Sequence, residues 1–319
     1  MREAAAARHR VDPALPHCRA VLRRRARTFS LASVFLPPRE RRDAAVVYAW
    51  CRGADDAVDG GGDAATALEQ VRRNLARIYD GGTPDDPVAA AFGDVVRRRG
   101  IPRAYPDELL AGMAADLGRV RYGTMGGLLE YAFRAAGTVG LMMAHVLDVR
   151  DPRALAPAAR LGMAMQLTNV CRDVAEDWAM GRLYVPRDVL ADAGGAWIAD
   201  WDGALPDAAR PPLARATRRL LAEADRYYRG GEAGLHALPW RCALAVRAAA
   251  SLYAAIGREI AGRGHDVLAG RAVVGRADKA RLVAAALAAA ARDAGVRLGR
   301  RATPALPEVV VGLPDVVLA

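Results

Sequence analysis

Lysine is nearly absent from this 319-residue chain: Lys279 stands alone, and the other 45 of the 46 basic residues are arginine. No glycine-rich phosphate loop precedes that lysine, which excludes a Walker-type nucleotide site. Serine is almost as scarce, at positions 30, 33 and 251. With no GxSxG motif, a serine hydrolase is not expected. The four cysteines, at 18, 51, 171 and 242, lie far apart and form no CxxC pair. Neither a disulfide framework nor a zinc site is expected, and a reducing cytoplasm fits. Cys51 and Cys171 read as small core residues. The five histidines (9, 17, 145, 236, 265) never pair at metal-ligand spacing. Aromatics make up only 6% and are not interleaved with the basic runs, so no nucleic-acid stacking platform is expected. No apolar run is long enough to span a bilayer. The basic start (Arg2, Arg8, His9, Arg10) lacks the apolar segment of a secretory signal.

What is present is apolar, helical and positively charged. Hydrophobic residues are 53% and charged residues 26%, enough for a large core and too apolar for disorder. The net charge of +10 favours anions such as phosphates or acidic headgroups. The runs Arg23–Arg25 and Arg97–Arg99 read as solvated faces. Ala, Leu and Arg dominate between Gly/Pro breaks such as Pro37-Pro38, Gly60-Gly61-Gly62 and Gly194-Gly195. Helices are expected near 14–27, 40–58, 64–80, 86–99, 106–122, 126–148, 153–179, 208–230, 238–263 and 276–293. The apolar stretch Leu282 to Ala291 reads as a buried helix. No strand–helix alternation is seen, so the fold class is all-α. The expected organisation is a basic segment over 1–14, one catalytic domain over 15–301, and a Pro- and Val-rich tail over 302–319, docked or mobile.

Two acidic clusters carry the chemistry. Tyr48, Arg52, Asp55 and Asp59 recur at helical spacing, so they form one stripe on a helix that is otherwise apolar. Gln166, Asn169, Asp173 and Asp177 form a second stripe. Carboxylates four residues apart lie close enough to repel, and uncharged Gln and Asn are not explained by surface ion pairs. Hard oxygen donors on two facing helices suit Mg²⁺ shared with phosphate, with Mn²⁺ as a substitute. Arg52 and Arg172 stand within a turn of the carboxylates and could neutralise a diphosphate.

The stretches Tyr48-Ala-Trp-Cys-Arg52-Gly-Ala-Asp55-Asp56-Ala-Val-Asp59, Gln166-Leu-Thr-Asn169-Val-Cys-Arg172-Asp173-Val-Ala-Glu176-Asp177 and Gly181-Arg-Leu-Tyr184-Val-Pro186 resemble the squalene/phytoene synthases in type, order and separation. The similarity spans roughly residues 15 to 295. It implies an isoprenoid-synthase helical bundle around a central cavity and head-to-head coupling of two prenyl diphosphates. By position, Asp55, Asp59, Asn169, Asp173 and Asp177 resemble metal-binding residues. Tyr48, Arg52, Gln166, Arg172, Tyr253 and Arg271 resemble contacts to diphosphate or intermediate, and Phe29 and Tyr131 resemble further substrate contacts. Tyr131 to Gly140 resembles a small-residue helix lining the prenyl-tail pocket, although close helix packing would also account for Gly137 and Gly140. Two departures stand out: Phe133 replaces a tyrosine, and Ala26-Arg27-Thr28-Phe29 replaces a Ser-x-Ser-Phe segment.

On this resemblance the expected reaction turns geranylgeranyl diphosphate into phytoene through prephytoene diphosphate, in carotenoid biosynthesis, without NADPH. Farnesyl diphosphate, giving squalene, presqualene diphosphate or diapophytoene, is the alternative. A terpene cyclase and a non-catalytic family member rank lower. The hydrocarbon product and basic surface lead to an expected cytoplasmic protein in peripheral contact with a membrane. Downstream carotenoid enzymes are further expected partners, and nucleic acid is not.

Overall fold

The computed structural model describes residues 13–59, 63–118 and 120–297, with side chains through residue 292. The Gly60–Gly62 linker, the segment before residue 13 and the tail over 302–319 lie outside the described residues. α1 (Leu15–Arg25) and the short α2 (Arg27–Ala32) lead through a 3₁₀ turn (Ser33–Phe35) into α3 (Pro38–Asp59). α4 (Ala64–Tyr79), α5 (Pro87–Arg99) and α6 (Ala104–Ala114) follow. α7 (Met125–Ala132) continues through a π-helical turn (Phe133–Gly137) into α8 (Thr138–Val146). Then come α9 (Leu155–Arg172), α10 (Val174–Ala179), α11 (Arg187–Asp192), α12 (Arg210–Glu232), α13 (Trp240–Gly262) and α14 (Arg276–Arg297). Among the described residues the sole β feature is an isolated parallel bridge between Arg121 and Leu183. The chain is all-α.

Local chemistry sets the helix ends. Asp63, Asp86 and Thr124 accept hydrogen bonds from the backbone N–H groups of Thr66, Ala89 and Gly127, capping α4, α5 and α7. Pro38 and Pro87 occupy first-turn positions, where a missing N–H costs nothing. Gly100, at φ 62°, ends α5 in the left-handed region that glycine enters without strain.

α9 is the central helix, packed by α12, the π-helical turn, α8 and α13. Its approach to α8 is a backbone contact. A Cβ on Gly162 would run into the Ala136 carbonyl oxygen, and one on Gly140 into that of Ala158. Thr168 Oγ1 lies 3.0 Å from Tyr228 Oη, joining α9 to α12. Trp50 of α3 stacks on Phe92 of α5, with centroids 4.1 Å apart.

Four expectations are corrected. The helix expected over 106–122 ends at Ala114, which frees Asp116 to turn inward. The helix expected over 153–179 breaks at Asp173 (φ −104°, ψ 11°), where the Arg172 and Asp173 side chains bond each other. Neighbours on a regular helix diverge, so that contact belongs to an opened turn. Arg97–Arg99 is not a solvated face throughout: Arg98 and Arg99 donate to Asp43 of α3, at 3.0 and 2.7 Å, and Asp43 is 4% exposed. Leu282 to Ala291 is not a buried helix. It rests one edge on α13, burying Ala286, while Leu287 stays 44% exposed.

Candidate active site

A cavity of about 620 Å³ runs between α2, α3, α8, α9 and α13, a size typical of small-molecule sites. The polar stripe of α3 faces into it, since Tyr48, Arg52, Asp55 and Asp59 all line the wall. Opposite stand Gln166, Asn169, Arg172, Asp173 and Asp177 from α9 and α10. Phe29, Tyr131, Tyr253 and Arg271 complete the set. All thirteen candidate residues read from the sequence thus border one space. Away from the charged end the walls become apolar, with Leu147, Val149, Leu235 and Leu238 among them.

Arginines hold the aspartates. Arg52 lies 2.8 Å from Asp55 and donates through Nε to Asp56. Arg182 lies 2.8 Å from Asp59. Arg172 Nε donates to Asp173 at 2.7 Å, and Arg271 reaches the same carboxylate at 3.1 Å and Glu176 at 3.1 Å. The ionised carboxylates are nonetheless uncomfortable. Burial pushes Asp55 up to about 6, with Asp59 adding to it against the opposing pull of Arg52. Burial likewise pushes Asp177 up to about 7, with Asp173 adding and Arg182 opposing.

Four of the arginines are already matched. Arg52, Arg172, Arg182 and Arg271 are each paired with a carboxylate before any anionic ligand enters, and Arg25 is a fifth arginine on the cavity wall. Asn169 Oδ1 is buried without a hydrogen-bond partner, while Asn169 Nδ2 donates to Gln166 Oε1 at 3.3 Å. A buried, unpaired acceptor among strained carboxylates has the chemistry of a hard divalent cation's donor set. Among the described residues no three His, Cys, Asp or Glu side chains converge closely enough to hold an ion as they stand. Their present partners are the arginines.

Sequence reasoning missed three lining residues: Asp116, Arg182 and Tyr184. Asp116 accepts hydrogen bonds from Tyr131 Oη at 2.9 Å and Tyr184 Oη at 2.8 Å. Burial raises its pKa, and the two hydroxyls oppose that rise. Tyr184 arrives because the segment 181–188 runs beside 120–123, with Leu183 N–H donating to the Val120 carbonyl and Arg187 N–H to that of Tyr122. A lone aspartate after the apolar run Leu109–Ala115 carries no periodic signal. Arg182 and Tyr184 sit in the quoted stretch 181–186, but only the tertiary fold brings them to Asp59 and Asp116.

Two aromatic groups flank the charged end. Phe29 meets Tyr253 at 4.9 Å and Tyr48 at 6.3 Å between centroids. Tyr131 stacks on Tyr184 at 5.0 Å, with Tyr122 beside both. Phe133 is 3% exposed and packs beside Gly137 in the core, away from the cavity wall. Ala135, Ala136, Val139 and Gly140 line the apolar part, and the tight packing under Gly137 and Gly140 holds as well.

The squalene/phytoene synthase family model matches residues 22–278. The chain belongs to that family. It is 38% identical over 263 residues to a 15-cis-phytoene synthase from Paracoccus sp. (strain N81106 / MBIC 01143), covering 80% of this chain and 84% of the relative. It is 40% identical over 282 residues to a phytoene synthase from Cereibacter sphaeroides, covering 83% of this chain and 77% of the relative. Among solved structures it is similar to a dehydrosqualene synthase crystallised with a ligand, at TM-score 0.79 and 28% identity, covering 87% of this chain and 96% of that one.

Proposed function

We propose that this protein condenses two prenyl diphosphates head to head, turning geranylgeranyl diphosphate into phytoene for carotenoid biosynthesis. The observation that carries this reading is one cavity with an arginine- and aspartate-lined end and an apolar shaft. Such a shape takes a diphosphate at one end and an isoprenoid tail along the other. The charged end distinguishes it from a plain lipid pocket.

In this reading one substrate loses diphosphate, and its allylic cation bonds to the double bond of the second. A proton is lost, and a cyclopropylcarbinyl diphosphate forms. That intermediate loses the second diphosphate, rearranges, and releases a further proton to give the hydrocarbon. No hydride is consumed, so NADPH is not called for. Arg52, Arg172, Arg182 and Arg271 stabilise charge as it develops on the departing diphosphates. The faces of Phe29, Tyr48 and Tyr253, and of Tyr131 and Tyr184, lie where a carbocation needs electron-rich, non-nucleophilic neighbours. The apolar shaft excludes water that would quench it. Asp55, Asp59, Asn169, Asp173 and Asp177 are the residues that would hold Mg²⁺. When bound, the metal supplies Lewis-acid neutralisation of diphosphate oxygens.

A second reading, with farnesyl diphosphate as substrate, is favoured by the similarity to the dehydrosqualene synthase structure. One experiment separates the two. The purified protein is incubated with C15 or C20 prenyl diphosphate and Mg²⁺, with and without NADPH, and the extracted hydrocarbon is identified. Phytoene from the C20 substrate alone is the expected result, and absence of any head-to-head product sinks the proposal. The product is insoluble in water, so the reading includes peripheral contact with a membrane and delivery to downstream carotenoid enzymes.

A further inference from the structure

We infer that α2 and the 3₁₀ turn after it, together with the start of α13, form the face on which the protein docks to an anionic lipid bilayer. The inference deepens the reading above, on which the membrane is the sink for the hydrocarbon. The evidence for the face is independent of the reaction.

Residues 27–36 are apolar on two sides. Phe29, Ala32 and Leu36 point into the cavity, while Leu31 and Val34 point outward at 37% and 50% exposure. Beside them Trp240, the first residue of α13, is 59% exposed. Arg241 ties the patch together. Its Nε donates to the Phe35 carbonyl at 3.1 Å, and its guanidinium carbon sits 5.9 Å from the Trp240 ring centroid. A helix wall that is apolar inside and outside gains nothing from water on its outer face. A bilayer interface suits it, and tryptophan is the side chain most at home at headgroup depth.

Charge selects which surface. Residues 13–36 contain no aspartate or glutamate and five arginines, at 19, 23, 24, 25 and 27, all exposed. None of the five makes an ion pair among the described residues, whereas Arg52, Arg99, Arg172 and Arg182 are all paired with carboxylates. An uncompensated cationic rim around an apolar centre is the complement of acidic headgroups over acyl chains. Phe29, Ala32, Ser33 and Leu36 of residues 27–36 line the cavity, so docking that segment would place the cavity's flank against the phase that dissolves its product.

The test is flotation of the full chain with phosphatidylcholine vesicles, pure or mixed with phosphatidylglycerol. Wild type is expected to float with the mixed vesicles and to be released by salt. Val34→Ser/Trp240→Ser and Arg24→Gln/Arg27→Gln are each expected to cut the bound fraction about tenfold. Brominated acyl chains are expected to quench tryptophan fluorescence in wild type and much less in Trp240→Phe. Both double variants keep wild-type turnover on detergent-dispersed substrate, which shows that they fold. Wild type left wholly in the soluble fraction, variants that float as well as wild type, or quenching unchanged in Trp240→Phe would each overturn the inference. The patch would then be a surface for a protein partner. Flotation by a protein that forms no head-to-head product would instead refute the reaction and leave the docking face standing.

Discussion

Asn169 shows what a single side chain contributes to this site. It is one of two asparagines in the chain, and its Oδ1 is buried with nothing to accept from. An unpaired buried acceptor costs stability unless a ligand later satisfies it. Asp55 and Asp177 bear a related strain, since burial and neighbouring carboxylates hold both above the ordinary carboxylate range. Asp55→Ala or Asp173→Ala is expected to lower turnover by about 10²–10³-fold or more, with the far-UV circular dichroism of a helical protein retained. Near-normal turnover in either variant would remove these residues from the chemistry. Asp116 acts through others by fixing the rings of Tyr131 and Tyr184. Asp116→Ala frees both rings, and a misplacement of about 1 Å is worth about 10²-fold in rate. The expected loss falls on kcat more than on KM, and a variant with wild-type kcat would reduce Asp116 to a packing residue.

Among the elements, the meeting of α9 with the π-helical turn and α8 sets the shape of the apolar shaft. Gly140 and Gly162 let two backbones touch where any side chain would collide with a carbonyl, and the π-helical turn beside them presents Ala135 and Ala136 to the cavity. Inserted turns of this kind commonly mark functional stretches of helix. Gly162→Ala is expected to destabilise the protein by about 1–3 kcal/mol through overpacking, read as a lower urea midpoint at unchanged slope. Gly53 is the contrast, because it lies on the outer side of α3 with open space around it. Gly53→Ala is expected to stabilise by about 0.5–1 kcal/mol, the helical preference of alanine over glycine. Equal shifts for the two variants would mean that α9 and the π-helical turn are not in backbone contact. The break between α9 and α10 at Asp173 has its own consequence: the second acidic stripe is carried on two helix axes, which lets Asp177 turn beside Arg182 and Asp116.

For the whole molecule, the governing feature is a charged end where Arg52, Arg172, Arg182 and Arg271 are already paired with carboxylates. A multiply charged diphosphate entering such a site needs further positive charge, so ligand binding and Mg²⁺ binding should be coupled. A non-hydrolysable prenyl bisphosphonate at about 100 times its Kd is expected to stabilise the protein by about 2.7 kcal/mol in Mg²⁺, seen as a higher melting temperature. The shift should vanish in chelator. An equal shift in chelator would assign diphosphate recognition to the arginines alone. No described helix is long and apolar enough to cross a membrane, so the proposed membrane contact rests on the surface formed by α2 and α13.

The helical period of Tyr48, Arg52, Asp55 and Asp59, and of Gln166, Asn169, Asp173 and Asp177, was legible in the sequence because it repeats within a few turns. A polar stripe on an otherwise apolar helix has few places to point except an internal cavity, so local spacing alone determined the two walls. The all-α class followed in the same way, from composition and from breaks at glycine and proline. Tertiary structure decided what depends on residues far apart in the chain. Asp116, Arg182 and Tyr184 reach the site only because a short extended pairing of 120–123 with 181–188 overrides their separation in sequence. Arg99 turns inward, and the exposed Arg98 reaches the same carboxylate, only because Asp43 is buried across from them. Leu282 to Ala291 stays largely exposed because, among the described residues, it packs mainly along one helix, α13. Periodicity reports which side chains share a face, and the packed fold alone determines what that face meets.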